Sequence, residues 1–348
     1  MTEPSATPSA AHADLVPGGA ATGSLDPAAP WGRRFAAYLD ERFPPGAMLV
    51  FSLVTVASAA AACAAAAKAP VRLDLGLALL ALAHVTFLLL LRVLDEHKDF
   101  ARDREAYPER VLSRGFVTLP QLARVGWAAG LVGLACSAAL GAFPLGAFVA
   151  VLVFGLLMAK EFFLGELLRK DVFFYAATHQ PINPLITAWL VTGVLVRGWG
   201  TPHEDALALP VLWSYVLAQL LLGFGFEVAR KVWTPAEERP DLVDSYSAHA
   251  IGPRGAGALA LAFLLGGLAL VAWFVEDVGL PRWVHAPLGV CGLLVVSTVG
   301  RFAWAPFPGA SKKLAGAVGL GSLVLHGGLV AGALAQHGSR AAAWLGAS

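Results

Sequence analysis

Nine stretches of roughly 20 mostly apolar residues, separated by short polar segments, limit what this chain can fold into more than any other feature of its sequence. They lie near residues 47–67, 74–94, 119–140, 143–163, 174–196, 206–228, 256–275, 283–300 and 314–336. A helix of that length spans the hydrocarbon core of a bilayer. Inside that core every backbone N–H and C=O must be bonded within the protein, which leaves helices or closed barrels. The runs lack the two-residue alternation of barrel strands, so they read as helices. The fold class that follows is all-α: a polytopic membrane protein with about nine transmembrane helices around a central cavity. The composition agrees, with 57% hydrophobic and 14% charged residues and the charges gathered between the runs.

Lys and Arg set the orientation. With nine spans, 20 of the 25 basic residues fall on one side and five on the other (Lys68, Arg72, Arg197, Arg282 and Arg340). The expectation is an integral membrane protein with its N-terminus and its two longest internal loops, about 95–118 and 229–255, in the cytoplasm; in a bacterium the membrane would be the inner one. Residues 1–30 read as a disordered tail, rich in Ala, Pro, Ser, Thr and Gly and without the charged and apolar regions of a signal peptide. Residues 31–45, WGRRFAAYLDERFPP, mix aromatic and charged side chains and read as an interfacial segment. Residues 46–338 form the transmembrane domain and 339–348 a C-terminal tail.

Some chemistry is excluded. The net charge is +1 and no basic tract suits nucleic acid. Cys63, Cys136 and Cys291 all lie in apolar runs without a CxxC or Cys/His cluster, so they read as small buried hydrophobes.

The chemistry-bearing residues sit where apolar runs end. Residues 92–115 read RVLDEHKDFARDREAYPERVLSRG. Asp95, Asp99 and Asp103 are spaced i, i+4, i+8, which on a helix puts three carboxylates on one face, about 6 Å from turn to turn. Clustered carboxylates call for a cation, and hard oxygen ligands suit Mg²⁺ carrying substrate phosphates. Arg92, Lys98, Arg102, Arg104, Arg110 and Arg114 surround them, a mixture that diphosphate binding requires. A solvated juxtamembrane charge run accounts for the same pattern.

The second array is FEVARKVWTPAEERPDLVDSYS, residues 226–247. Glu227 ends the sixth run, Arg230 and Lys231 follow one turn later, and Glu237, Glu238, Asp241 and Asp244 come after Pro235. An acid at the edge of a span faces a cavity or a partner; alternatively, Glu227 and Lys231 form a helix pair that caps the span. In the fifth run, His179 and Asn183 occupy the Pro-broken segment YAATHQPINPL, where they line an acceptor cavity or satisfy a kink. His285 and His326 read as packing or interfacial residues, and the many glycines as close-packing positions.

With these residues in view, the chain resembles the UbiA-type intramembrane prenyltransferases over about residues 45–336. That family has nine helices and two cytoplasmic aspartate-rich motifs, the first of the form NDxxDxxxD. Asp95, Glu96, Asp99 and Asp103 fill its four acid or amide positions in register. The RPLxxG segment that follows in the family reads RVLSRG here, Arg110 to Gly115, with Val111 in place of proline. Lys160 resembles the basic residue that the family carries at the end of span four. In the second motif Glu227 and Lys231 stand at the spacing of the family's DxxxD, and DSYSAHAIG, Asp244 to Gly252, resembles the close of that loop loosely.

The resemblance implies Mg²⁺ as cofactor, an isoprenyl diphosphate and a hydrophobic or aromatic acceptor as substrates, and membrane lipids as surroundings. It implies Asp95, Glu96, Asp99, Asp103 and Glu227 as metal ligands. Lys98, Arg110, Lys160, Arg230 and Lys231 would bind the diphosphate, with Glu227 and Lys231 catalytic and His179 and Asn183 near the acceptor. Metal and basic side chains would neutralise the departing diphosphate while the allylic carbon gains cation character. A membrane terpene cyclase of the same superfamily is the alternative. A transporter fits less well, because the acids sit at helix ends and not at mid-membrane depth.

Overall fold

The computed structural model describes residues 25–168, 170–195, 210–237, 245–248 and 251–341. Most of the N-terminal tail, the last seven residues of the C-terminal tail, and Arg169, Arg197, Glu238, Arg239, Asp241 and Asp244 lie outside the described residues.

The chain is helical along nearly all of its described length. In order come α1 (Trp31–Arg42), α2 (Pro45–Ala67), β1 (Val71–Leu73), α3 (Leu75–Ala106), α4 (Leu119–Leu140), α5 (Ala142–Ala159), α6 (Val172–His179), α7 (Ile182–Leu195), α8 (Pro210–Ala229) and α9 (Gly252–Asp277). A segment from Arg282 to Trp304, α10, includes a π turn at Val296–Gly300, and α11 (Ala310–His337) leads into β2 (Ser339–Ala341). The protein is an all-α polytopic membrane protein: eight helices among the described residues are long and apolar enough to cross a membrane.

The fifth expected run, 174–196, holds two helices among the described residues, α6 and α7, of 8 and 14 residues. Pro181 and Pro184 cannot donate backbone hydrogen bonds, so the chain restarts after Gln180. Asp171 caps α6, its carboxylate accepting from the N–H groups of Phe173 (2.8 Å) and Phe174 (3.1 Å).

One other expectation changes. The loop placed at 95–118 begins later, because α3 continues for three turns past its apolar run, to Ala106. Its polar end, DEHKDFARDREA, is rich in good helix formers, and Pro108 stops it. At the start of the C-terminal tail, Ser339–Ala341 pairs in parallel with Val71–Leu73.

The described contacts form two compact units. One holds residues up to Phe51 with Val85–Leu131; the other holds Ser52–His84 with the residues from Val132 onward. The first is built around Tyr38, Val93, Val111, Leu112, Phe116, Val117 and Leu122, with α1 packed on the polar end of α3 and the turn that follows it. The second contains the tight crossing of α8 and α9. There Gly225 lies against Leu264 and Gly267 against Leu222; an added Cβ would come within 3.0 Å of the Leu264 backbone nitrogen and 3.1 Å of that of Leu222. Small residues let two membrane helices approach this closely. Exposed Trp127, Leu293 and Trp304 are at home on such a surface, since lipid tails solvate apolar side chains as well as a protein core does.

Candidate active site

The first acid array is helical. Asp95, Glu96, Asp99 and Asp103 occupy one arc of α3, as 100° per residue requires. Each is paired with a base. Lys98 and Arg92 lie 3.4 and 3.8 Å from Asp95, and Arg102 lies 3.6 Å from Asp99. The tightest contact of Asp103 is with Arg110, at 2.6 Å. Glu96, almost wholly buried, accepts from Arg42 Nε at 2.7 Å, and the same guanidinium reaches Asp103 at 3.6 Å.

Arg42 comes from α1, within the segment that the sequence reads as interfacial. This helix grips the array and the turn beyond it. Arg34 donates to the Phe116 carbonyl at 2.9 Å, and Glu41 accepts from the Val111 N–H at 3.2 Å. The last contact needs an N–H at position 111, which a proline would lack. The RVLSRG segment ends as a Schellman turn. Gly115 N–H bonds the Leu112 carbonyl at 3.0 Å and Phe116 N–H bonds the Val111 carbonyl at 3.1 Å. Gly115 has φ +76°, which the absence of a Cβ permits. A cavity of about 390 Å³ opens beside this turn, lined by Phe100, Arg104, Leu112, Arg114, Val117 and Leu119 among others.

Burial and neighbouring charges oppose one another here. Burial works against the Arg42 charge, yet Glu96 and Asp103 outweigh it and raise its pKa above the ordinary arginine value. Burial and the Arg42 charge together lower that of Arg110, despite Asp103. Burial also raises the Glu41 carboxyl, although Val111 N–H and the nearby arginines oppose it. Arg110 further stacks over the Tyr107 ring at 3.6 Å.

The second array lies in the other unit and is local. Glu227 Oε2 accepts from Arg230 Nε at 2.6 Å, and Glu227 Oε1 faces Lys231 Nζ at 3.0 Å. Both carboxylate oxygens are thus taken at i+3 and i+4, the cap arrangement of the two weighed from the sequence. Beyond it, Glu237 accepts from Thr234 N–H (2.8 Å), Thr234 Oγ1 (2.7 Å) and Gly309 N–H (2.6 Å), tying this segment to the α10–α11 connection. Burial opposes ionisation of Glu237, but these donors lower its pKa below the ordinary glutamate value. Tyr246, fully buried, donates its N–H to the Lys231 carbonyl at 3.1 Å.

Lys160 caps the C-terminus of α5, exposed and without an ion pair among the described residues. The next three residues, Glu161, Phe162 and Phe163, all have φ between 48° and 60°. Such a left-handed turn costs on the order of 1–2 kcal/mol per residue, and it sets Phe162 edge-on to His179, 5.6 Å between centroids. His179 Nδ1 bonds the Tyr175 carbonyl at 2.8 Å and its ring stacks on Tyr175 at 3.8 Å. Asn183 donates to Gln180 Oε1 at 2.7 Å, and this amide pair packs on Gly223 of α8, one helical turn before Glu227. His326 is half-buried, joined through Ser58 Oγ (2.8 Å) to Tyr215 OH (2.9 Å), which links three spans.

Among the described residues no group of three or more His, Cys, Asp or Glu side chains is gathered as a metal cluster. A smaller site fits. Asp95 and Asp99 keep only ion pairs of 3.4 Å or longer, while Asp103 and Glu96 are engaged by arginines at 2.6 and 2.7 Å. Mg²⁺ binds through one or two carboxylates and completes its shell with water and phosphate oxygens, so Asp95 and Asp99 meet its needs.

Residues that sequence reasoning missed are Arg42, Glu41 and Tyr246. For Arg42 one signal was available: Tyr38 and Arg42, at i and i+4, share a face of α1.

No protein-family model matches the chain, and no curated protein matches it in sequence. Two solved structures are similar. One comes from work on digeranylgeranylglyceryl phosphate synthase in membranes, with TM-score 0.60, 15% identity, 87% of this chain covered and 99% of that one. The other is the apo form of a UbiA homolog from Aeropyrum pernix K1, with TM-score 0.60, 20% identity, 79% of this chain covered and 98% of that one. The fold of this membrane protein is therefore the UbiA-type fold.

Proposed function

We propose that this protein is an intramembrane prenyltransferase that moves an isoprenyl group from its diphosphate to a hydrophobic or aromatic acceptor, with Mg²⁺ as cofactor. One observation carries the reading: on a UbiA-type fold, four acids and five bases interlock at the polar end of an apolar helix, with Arg42 and Arg110 converging on Asp103. Asp95 and Asp99 would hold the metal, and Lys98, Arg110 and Arg42 would meet the diphosphate. The metal, when bound, neutralises charge that builds on the leaving group.

The chain's own residues do the rest. Glu96 and Asp103 hold two guanidiniums in place before substrate arrives, so little reorganisation is needed as charge develops. The allylic C–O bond breaks with its electron pair going to the diphosphate. A nucleophilic atom of the acceptor supplies the new pair and loses a proton. Glu227, with both oxygens occupied, acts by holding Arg230 and Lys231 and not as the base. Lys160, a cation, and the polar His179 and Asn183 belong to the other unit. The orientation that goes with this places the N-terminus and both arrays in the cytoplasm, consistent with the 20-to-5 division of basic residues.

The test is turnover of radiolabelled prenyl diphosphates by the purified protein across a Mg²⁺ titration, with and without cell extract as acceptor source. Release of diphosphate with label in a new lipid only when extract is present is the expected result. A labelled hydrocarbon formed without extract would indicate a cyclase. No consumption of any prenyl diphosphate would sink the reading.

A further inference from the structure

A cavity that the transferase reading does not use opens where α10 turns into α11. It holds about 370 Å³, with Ser297, Thr298, Arg301, Phe307 and Lys313 among its lining residues. Arg301 and Lys313 share one ring: the guanidinium carbon and the Nζ each lie 5.5 Å from the Phe307 centroid. Both residues are exposed, and neither makes an ion pair among the described residues. Glu237, the acid bonded to this connection, spends its carboxylate on Thr234 and the Gly309 N–H. Two positive charges thus line one cavity, and like charges brought together call for an anion. The backbone is also irregular here. Val296–Gly300 is a π turn, in which the hydroxyls of Ser297 and Thr298 donate to the Leu294 carbonyl at 3.2 and 2.5 Å. Such turns are frequent at functional sites.

The surroundings say what kind of anion. α10 is long and apolar enough to cross a membrane, and it ends at Trp304, which is 84% exposed. Leu293, one turn before Ser297 on the same face, is 71% exposed, and Val296 is 50% exposed. An apolar strip therefore leads away from the two cations along a membrane helix. A soluble anion has no use for that strip, whereas a phospholipid lays its acyl chains on it and keeps its phosphate at the membrane surface. We propose that this cavity binds the headgroup of an anionic phospholipid. The phosphate lies between Arg301 and Lys313, an acyl chain follows Leu293 and Val296, and Trp304 sits at headgroup level. The proposal does not rest on the prenyltransferase reading; the lipid is a bound component of the membrane and not a reactant.

Native mass spectrometry of the full chain in detergent, titrated with phosphatidylglycerol or phosphatidylcholine, reads the affinity for each lipid. Wild-type protein should prefer phosphatidylglycerol by about 30-fold, the size of two charges acting on one headgroup. Arg301→Gln and Lys313→Gln should each weaken phosphatidylglycerol by about 5-fold, and the double variant by about 30-fold, with phosphatidylcholine unchanged. Exchanging the two cations, Arg301→Lys with Lys313→Arg, keeps the charge and should keep the preference. If the exchange loses as much as the neutral double variant, packing and not charge holds the lipid, and the proposal falls. Should the double variant fail to fold, the single variants and the wild-type preference decide. Inorganic pyrophosphate is the competitor that separates a lipid from a soluble phosphate. Displacement of phosphatidylglycerol by an equal concentration of pyrophosphate would overturn the lipid assignment. So would equal wild-type affinity for the two lipids, or undiminished phosphatidylglycerol binding in both single variants.

Discussion

The two charged arrays end apolar helices with similar residues, yet they are built differently. In the first, Arg42, Glu96 and Arg110 come from three segments, and the Arg42–Glu96 bond joins residues 54 apart in sequence. In the second, Glu227, Arg230 and Lys231 lie within two turns of α8 and its end. A local pair exists wherever the helix exists, and it adds a few tenths of a kcal/mol. A cross-linked, buried pair exists only when the fold does, and breaking it strands a charge. The first array is therefore sensitive to tertiary structure, and the second to little beyond its own helix.

The largest effect should come from the carboxylates assigned to the metal. Asp99→Ala is expected to lower kcat/KM by about 10²–10³-fold while the protein stays folded, because the ion pair of Asp99 with Arg102 is long and partly exposed. Glu227→Gln should cost far less. Equal losses in the two variants would erase the functional difference between the arrays.

Stability separates them next. Arg42→Ala leaves Glu96 buried with only Arg92, at 3.6 Å, for a partner. Denaturant or thermal melting should show a loss of about 2–4 kcal/mol. The same measurement on Lys231→Ala should show about 0.5 kcal/mol. If both fall in one range, the contrast between a cross-linked and a local array is wrong.

Lys231→Met probes the second array through binding. It should weaken the prenyl diphosphate by about 10-fold, the loss of one partly exposed charge-assisted contact. An unchanged Kd would reduce Glu227–Lys231 to a cap on α8.

Val111→Pro removes the N–H that Glu41 accepts. A melting shift equivalent to about 1–2 kcal/mol is expected, with activity lowered as the grip of α1 loosens. Wild-type stability would show that α1 is held by packing alone.

The smallest effect is in pH dependence, where Glu41 and Glu237 should oppose each other. The Glu41 carboxyl is raised in the folded protein, so its contribution is greatest below the ordinary value of 4.5 and is lost as pH climbs through the folded value. That of Glu237 is lowered, so its contribution is present above 4.5 and is lost as pH falls through the folded value. Glu41→Gln should flatten the decline above 4.5, and Glu237→Gln the decline below it. Slopes of the same sign in both variants would contradict the burial and hydrogen bonding described here.

Much of this was readable beforehand, for definite reasons. Run length identified the spans, because a bilayer fixes how long an apolar helix must be. The α4 run, 119–140, coincides with the helix found. Spacing alone put Asp95, Asp99 and Asp103 on one arc, and Glu227 beside Lys231, because 3.6 residues per turn is a local rule. Hydropathy stopped α3 at its apolar edge and missed three further turns, since it measures burial in lipid and not helix formation. It also carried the fifth run across Gln180 and Pro181, where the backbone restarts.

What the chain determined by itself is the all-α membrane architecture, the acids at helix ends and the pairings three or four residues apart. Each follows from a length or a period that needs no distant partner. Tertiary structure alone decided that Arg42 reaches Glu96, that Val111 must keep its N–H for Glu41, and that Tyr246 is buried beside the end of α8. Those contacts join residues 15 to 70 apart in sequence, and only packing fixes which distant side chains meet.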